Sequence, residues 1–149
     1  MLQRNAQSSD LNSINQLIRQ SKGYWGYSNT FLDAFMSQWG ITNTYINTNE
    51  VILFEQQGDL IGLFAFKIND DRAPELDLLF VHPTHIGNGI GKTLWQQALV
   101  HASSKKWLEF KIISDPHAEQ FYEHMGAKTI GTYESFPGRF VPVMRVELA

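Results

Sequence analysis

The stretch ELDLLFVHPTHIGNGIGKTLWQQAL, residues 75–99, changes its periodicity twice. Its first eight residues form an apolar run that ends at Pro83, which predicts a strand. From residue 90 onward Leu94, Trp95, Ala98, Leu99 and Ala102 recur at helical spacing, which predicts a helix over 90–104. Between them lie Gly87, Gly89 and Gly91. A strand, a glycine turn and a helix in that order aim backbone N–H groups at an anion. Glycine lets the backbone approach without a Cβ in the way, and the helix dipole adds partial positive charge. A phosphate or pyrophosphate is therefore a reasonable ligand, and a turn that only redirects the chain is the alternative this stretch leaves open. The Gly-Lys-Thr ending suggests a nucleotide-binding P-loop, but that loop needs a glycine five positions before Gly91. Ile86 stands there, and Gly87 is one residue late. No later strand ends in an acidic residue placed for magnesium, so nucleotide hydrolysis is the weaker reading.

Outward from this stretch the pattern alternates strands and helices. "LQRN" (2–5) reads as a short strand. Asp10 is placed to cap a helix bearing Leu11, Ile14, Leu17 and Ile18. "SKGYWGY" (21–27) breaks that helix, and a second helix is expected over 29–39. "VILFEQQGDLIGLFAFKI" (51–68) predicts two strands about a Gly-Asp turn. "LEFKIIS" (108–114) is a further strand, and Asp115-Pro116 starts a helix that Gly126 stops. "AKTIGTYE" and "FVPVMRVEL" close the chain as strands. The order predicts one α/β domain over residues 1–149, of the α+β type, with helices packed on a sheet.

Composition narrows the function. The chain has 149 residues, 43% of them hydrophobic and 18% charged, with net charge −3. That balance argues against a general nucleic-acid surface or an anionic membrane surface. No apolar run is long enough to span a bilayer, and none resembles a signal peptide. There is no cysteine, which excludes disulfides, thiolate metal sites and a cysteine nucleophile, and is compatible with a cytoplasmic protein. The five histidines lack ligand spacing, so no metal is expected.

Residues 75–99 resemble the acetyl-CoA-binding segment of the GNAT superfamily of N-acetyltransferases: an acidic-leucine strand, a Val-His-Pro end, and a glycine loop before a helix. "DPHAEQFYEHMGAKTIG" (115–131) resembles the family's later Asn-x-x-Ala-x-x-x-Tyr segment. The resemblance covers nearly the whole chain and is closest to a bacterial subgroup. It implies a central, mixed, mostly antiparallel sheet flanked by helices, and acetyl-CoA as cofactor. By position, Phe80 and Val81 would meet the acetyl and pantetheine portion through their backbone. Gly87, Asn88, Gly89, Ile90 and Gly91 would wrap the pyrophosphate, with Lys92 and Thr93 at the helix start. Asp115 takes the asparagine position beside the pantetheine arm. Three positions depart from the pattern: the loop's Arg/Gln is Ile86, the later asparagine is Asp115, and the residue after Gly126 is Ala127 instead of Phe.

Within that reading the chemistry has two proton problems. An alkylamine of pKa near 10.4 is neutral in roughly one molecule in 2,500 at pH 7, a cost of about 4.6 kcal/mol. A carboxylate, often acting through water, relieves it. Asp77 matches an acidic position of the family and Glu75 is its backup; two apart on one strand, they share a face, which points toward the cleft if Leu76 and Leu78 point to the core. The bland alternative is a pair of solvated carboxylates. The departing thiolate needs a proton, and Tyr122 matches the tyrosine of that role, although it also completes the apolar stripe 118, 121, 122, 125. An N–H of the 79–81 stretch would meet the oxyanion. His82 is a lesser candidate for an auxiliary base, with packing the commoner role. Tyr24, Trp25 and Tyr27 lie where the family covers its acceptor, and Lys22 and Arg139 are candidates for an acidic group on that acceptor. The expected activity is acetylation of a primary amine of a small molecule or peptide by direct attack in a ternary complex, with the closing strands pairing in a homodimer. A CoA-binding sensor without turnover is the alternative, and it needs neither Asp77 nor Tyr122.

Overall fold

A computed structural model describes residues 1–68 and 73–148. The chain runs β1 (Leu2–Asn5), α1 (Leu11–Gly23), α2 (Asn29–Trp39), α3 (Asn43–Thr48), β2 (Glu50–Gln56), β3 (Asp59–Lys67), β4 (Glu75–Val81), α4 (Ile90–Ser104), β5 (Glu109–Ile113), α5 (Glu119–His124), β6 (Lys128–Phe136) and β7 (Arg139–Glu147). The strands make one seven-stranded sheet in the order β1-β2-β3-β4-β5-β7-β6. Only the β4–β5 pair is parallel. This is the α/β architecture that the element order predicts, with the mixed, mostly antiparallel sheet that the resemblance implies.

Local chemistry explains most boundaries. Ser28 caps α2 by accepting the Phe31 N–H at 3.1 Å, and Thr42 caps α3 by accepting that of Tyr45 at 3.1 Å. The β2–β3 hairpin turns on Gln57 and Gly58, both at positive φ, one step earlier than the Gly-Asp turn expected. Asp10 does not cap α1 through its side chain. Its carboxylate forms a fork with Arg4, two contacts of 2.8 Å, and accepts the Gln7 N–H. The local ion pair takes the oxygens that the cap would have used.

Two apolar layers cover the sheet. Ile52, Phe54, Phe64, Phe66, Phe110 and Met144 pack beneath α4 and α5, with Leu94 and Trp95. Val51, Leu53, Leu63 and Ala65 face the other way, onto Ile14, Leu17 and Ile18 of α1 and Ile46 of α3. Gly62 allows α4 to close on β3: a Cβ there would lie 2.9 Å from Leu94 Cδ1 and 3.2 Å from the Phe80 carbonyl.

One irregularity shapes the centre. Phe66 pairs with Leu76, but Ala65 pairs with Leu78, so Asp77 is an extra residue in β4. Leu76 and Leu78 therefore do not share a face. Leu76 joins the α4 layer and Leu78 the α1 layer. The simple alternation expected from the sequence fails because a bulge shifts the period by one.

Candidate active site

The bulge coincides with a split in the sheet. β4 and β5 pair only at Glu75–Lys111 and Leu76–Ile112, and beyond Leu76 they part. The His82 N–H donates to the Ile61 carbonyl at 2.8 Å. Antiparallel pairing alternates, so His82, Phe80 and Leu78 exchange bonds with β3. The backbone groups of Leu79 and Val81 then face the gap. This corrects one expectation: Phe80 has its backbone turned toward β3, and Leu79 takes its place beside Val81.

The gap leads to the glycine loop. Pro83–His85 forms a 3-10 turn, Gly87 and Gly89 follow at φ +90° and +81°, and Gly89 precedes the first turn of α4. Those left-handed values are what glycine supplies without strain. The N–H groups of Ile90, Gly91 and Lys92 begin the helix and have no intrahelical acceptor. Thr93 is the first to bond back, its N–H and its hydroxyl both reaching the Gly89 carbonyl. Asn88, Gly89 and Lys92 are exposed. Gly91 abuts Phe121 and Val81, so a side chain there would touch both α5 and the end of β4. The arrangement is an anion cradle beside an open strand edge, with a chemistry and reach that suit a pyrophosphate followed by an extended arm.

Tyr122 stands on α5 against Trp95, with ring centroids 5.6 Å apart. It is buried, yet among the described residues its hydroxyl has no hydrogen-bond partner. Among the described residues no fully enclosed side-chain polar atom lacks a partner, so that hydroxyl is not completely sealed. Burial, and then the charge of Asp115, raise its pKa well above the ordinary tyrosine value. It therefore stays protonated at neutral pH, as a donor must.

The two carboxylates of β4 lie toward α3. Tyr45 donates its hydroxyl to Asp77 Oδ2 at 2.6 Å. Burial, then the negative charge of Asp77, push the Glu75 carboxyl up, opposed by Lys67 and Lys111. Glu75 is thus driven toward its neutral form beside Asp77. Glu75 and Asp77 come to one side of the sheet by the ordinary alternation of a strand, and the bulge adds Leu78 to that side. The sequence reading had no signal for Tyr45, because α3 is six largely polar residues with only Ile46 buried.

Asp115 stands at a helix start, as its sequence position predicts, and gathers partners that the sequence did not announce. It caps the turn Pro116–Ala118 by accepting the His117 N–H at 2.8 Å. Its oxygens also accept from Lys22 Nζ at 2.6 Å and Tyr27 at 3.0 Å. Burial raises this carboxyl, but the Lys22 charge and hydrogen bond and the His117 contacts outweigh it and bring it to about 2. Arg139 donates to the Tyr27 oxygen at 3.0 Å and lies 3.7 Å from Asp115. Trp25 stacks on His117 at 5.2 Å, and Tyr24 meets Trp25 edge-on. Lys22, Trp25, Tyr27, His117 and Arg139 thus gather around Asp115, and Tyr24 lies exposed at the margin. Lys22, open to either role in the sequence, is 5% exposed and fully engaged. His82 caps its own turn through Nδ1 and lines a polar hollow of about 320 Å³ with Gln16, Gln20 and Asp59, a hollow that contains neither Tyr122 nor Asp115. Among the described residues no three His, Asp or Glu side chains gather as a metal site, and no helix is long and apolar enough to cross a membrane.

Comparison with known proteins agrees with this geometry. No sequence among the curated proteins matches the chain. Among solved structures, the chain is similar to the PaiA N-acetyltransferase of Thermoplasma acidophilum, solved in complex with coenzyme A. The TM-score is 0.82 at 20% identity, over 98% of each chain. It is also similar to a ribosomal-protein-alanine N-acetyltransferase of Brucella melitensis (TM-score 0.69, 19% identity, 99% of this chain and 100% of that one). A third likeness is to the IAA acetyltransferase of Bacillus cereus (TM-score 0.71, 15% identity, 99% of each). At these identities the likenesses speak for the fold. Family membership rests on the sequence model of the acetyltransferase (GNAT) domain, which matches residues 14–148. With nearly the whole chain inside that match, and the split sheet, glycine cradle and open tyrosine in their places, the protein belongs to the GNAT family of acetyltransferases.

Proposed function

We propose that this acetyltransferase moves the acetyl group of acetyl-CoA to a primary amine of a small molecule or peptide, by direct attack within a ternary complex, and that residues 1–149 act as one domain. The observation that carries the reading is the parting of β4 and β5 beyond Leu76, which leaves the Leu79 and Val81 backbone groups facing one gap. Acetyl-CoA supplies the activated acetyl group. The chain supplies the rest. The free amides of Ile90, Gly91 and Lys92 hold the pyrophosphate, with Gly87 and Gly89 giving the backbone its close approach. The Leu79 or Val81 N–H meets the charge that grows on the carbonyl oxygen.

Asp77 accepts the proton of the incoming amine, directly or through water. Tyr45 orients it through its hydroxyl hydrogen bond, and Glu75 stands as the second carboxylate on the same strand. Tyr122 gives a proton to the departing sulfur. The absence of cysteine leaves direct transfer as the simpler route, and it suits a reducing, cytoplasmic setting. β6 ends the sheet as a nine-residue edge strand with Ile130 and Tyr133 exposed, which is where a second copy would pair in a homodimer.

A thiol-release assay with acetyl-CoA and a panel of amines tests this reading. At least one amine should raise the rate of CoA release by about 100-fold or more over buffer, on the scale that a positioned acid and base provide. Tight acetyl-CoA binding with no amine-dependent release would replace the enzyme reading with that of a CoA sensor.

A further inference from the structure

The group around Asp115 is unbalanced in charge. Lys22 and Arg139 bring two cations and Asp115 one carboxylate, and among the described residues no other acidic side chain bonds to any of the three. Lys22 is almost completely buried, between the Asp115 carboxylate and the face of Phe35, whose ring centre lies 4.3 Å from its ammonium. It has no exposed surface to offer. Arg139 does: its side chain keeps 23% of its exposure.

The guanidinium of Arg139 has five donors. Nη1 gives one to Ser135 Oγ at 2.9 Å and Nη2 gives one to the Tyr27 hydroxyl at 3.0 Å. Among the described residues the other three, including Nε, are uncommitted. The guanidinium lies over the Phe31 and Tyr27 rings, 5.1 Å and 5.7 Å from their centres. Those rings stack on each other at 4.4 Å. A planar fork on an aromatic floor, with spare donors and an unmatched charge, is the geometry in which arginine receives a carboxylate at two points.

The protonation behaviour of the neighbours points the same way. Burial lowers the Lys22 pKa, the pairing with Asp115 does not restore it, and the charge of Arg139 lowers it further. Asp115 is held low despite its own burial. Burial is the main cause at Lys22 and the Arg139 charge adds to it, while the Lys22 ammonium and the His117 contacts hold Asp115 low. Arg139 lies 3.7 Å from Asp115, which follows closely on the end of β5 at Ile113, the strand that borders the gap. The unbalanced cation therefore stands close to the proposed chemistry.

We propose that the acceptor amine also carries a carboxylate, and that Arg139 binds it while the amine points into the gap between β4 and β5. The acceptor class is then amino acids or peptides with a free carboxylate near the amine, in preference to polyamines or neutral amines. This rests on the acetyltransferase reading for the identity of the reacting group, and not for the binding preference itself.

The experiment pairs the common L-amino acids with their carboxamides, which keep the amine and remove the negative charge. Calorimetry of each in the presence of CoA reads binding without turnover, and thiol release with acetyl-CoA reads transfer. At least one acid should bind about 10- to 100-fold more tightly than its amide, the range for hydrogen bonds to a charged group. Arg139→Gln should erase that ratio by weakening the acid alone, and Arg139→Lys should keep part of it, with CoA affinity unchanged in both. If no acid binds more tightly than its amide, or if Arg139→Gln weakens both members of a pair equally, the proposal is overturned. If acids bind preferentially but no amine releases thiol, the carboxylate site stands and the acetyl-transfer reading falls.

Discussion

Tyr122→Phe lowers turnover by about 100- to 1,000-fold and leaves acetyl-CoA affinity within about twofold, if the hydroxyl protonates the departing sulfur. The substitution isolates one atom. The ring packs against Trp95 and Phe121, contacts that phenylalanine keeps. The hydroxyl has no protein partner among the described residues, so removing it strands no buried polar group and stability should not fall. Because burial and Asp115 hold the tyrosine protonated, the wild-type rate should show no loss from this group as pH rises through its ordinary value of 10.0. Unchanged turnover in Tyr122→Phe would make the residue a member of the α5 packing stripe only.

Asp115→Asn costs about 2–4 kcal/mol of folding stability at neutral pH. Asparagine keeps the size of the side chain and an oxygen for the His117 amide, so the loss reports the charge. It leaves the buried Lys22 ammonium without its counterion, and Lys22 and Arg139 then repel each other unscreened. The pH dependence has a definite sign. The native carboxyl is depressed to about 2 from 3.8, so its contribution is present above 3.8 and is lost as pH falls toward 2. Urea melts of wild type and variant should differ most at pH 7 and converge in acid. A constant difference from pH 7 down to pH 3 would mean that the loss comes from shape or hydrogen bonding rather than charge. The Lys22→Met, Asp115→Leu double variant should lose less than the sum of its single changes, since it removes both buried charges of the pair at once.

Sequence reading found the parts of this molecule that are periodic or local. Helices over 29–39 and 90–104 follow from their apolar stripes and stand where those stripes put them. The glycine loop was legible because glycine takes the positive φ found at 87 and 89 without the strain a side chain brings. What stayed hidden was set by register and by long-range charge. The bulge at Asp77 is a one-residue slip between β3 and β4, and no residue type in "ELDLLFV" announces it. It alone decides that Leu76 and Leu78 part and that Leu79, not Phe80, faces the gap. Asp115 reads locally as a helix start, which it is, but its ion pair reaches back 93 residues to Lys22. The Arg139 contact with Tyr27 spans 112 residues. Spacing rules carry no information at such separations, so the residues proposed for acceptor binding were visible one by one and their charge balance only in the fold.

Calorimetric titration of acetyl-CoA, CoA and ATP–magnesium into wild type and Gly89→Trp asks whether the glycine loop holds the pyrophosphate of CoA. Gly89 sits at φ +81° with nothing near its Cβ position, so tryptophan strains the loop and covers the cradle without entering the core. The account predicts that acetyl-CoA and CoA bind the wild type alike, since the pyrophosphate is common to both, and that Gly89→Trp weakens both by about 100-fold or more, the cost of losing two or three charge-assisted contacts. Melting temperature should change little. ATP–magnesium binding without CoA binding, or CoA binding untouched by Gly89→Trp, would contradict the account.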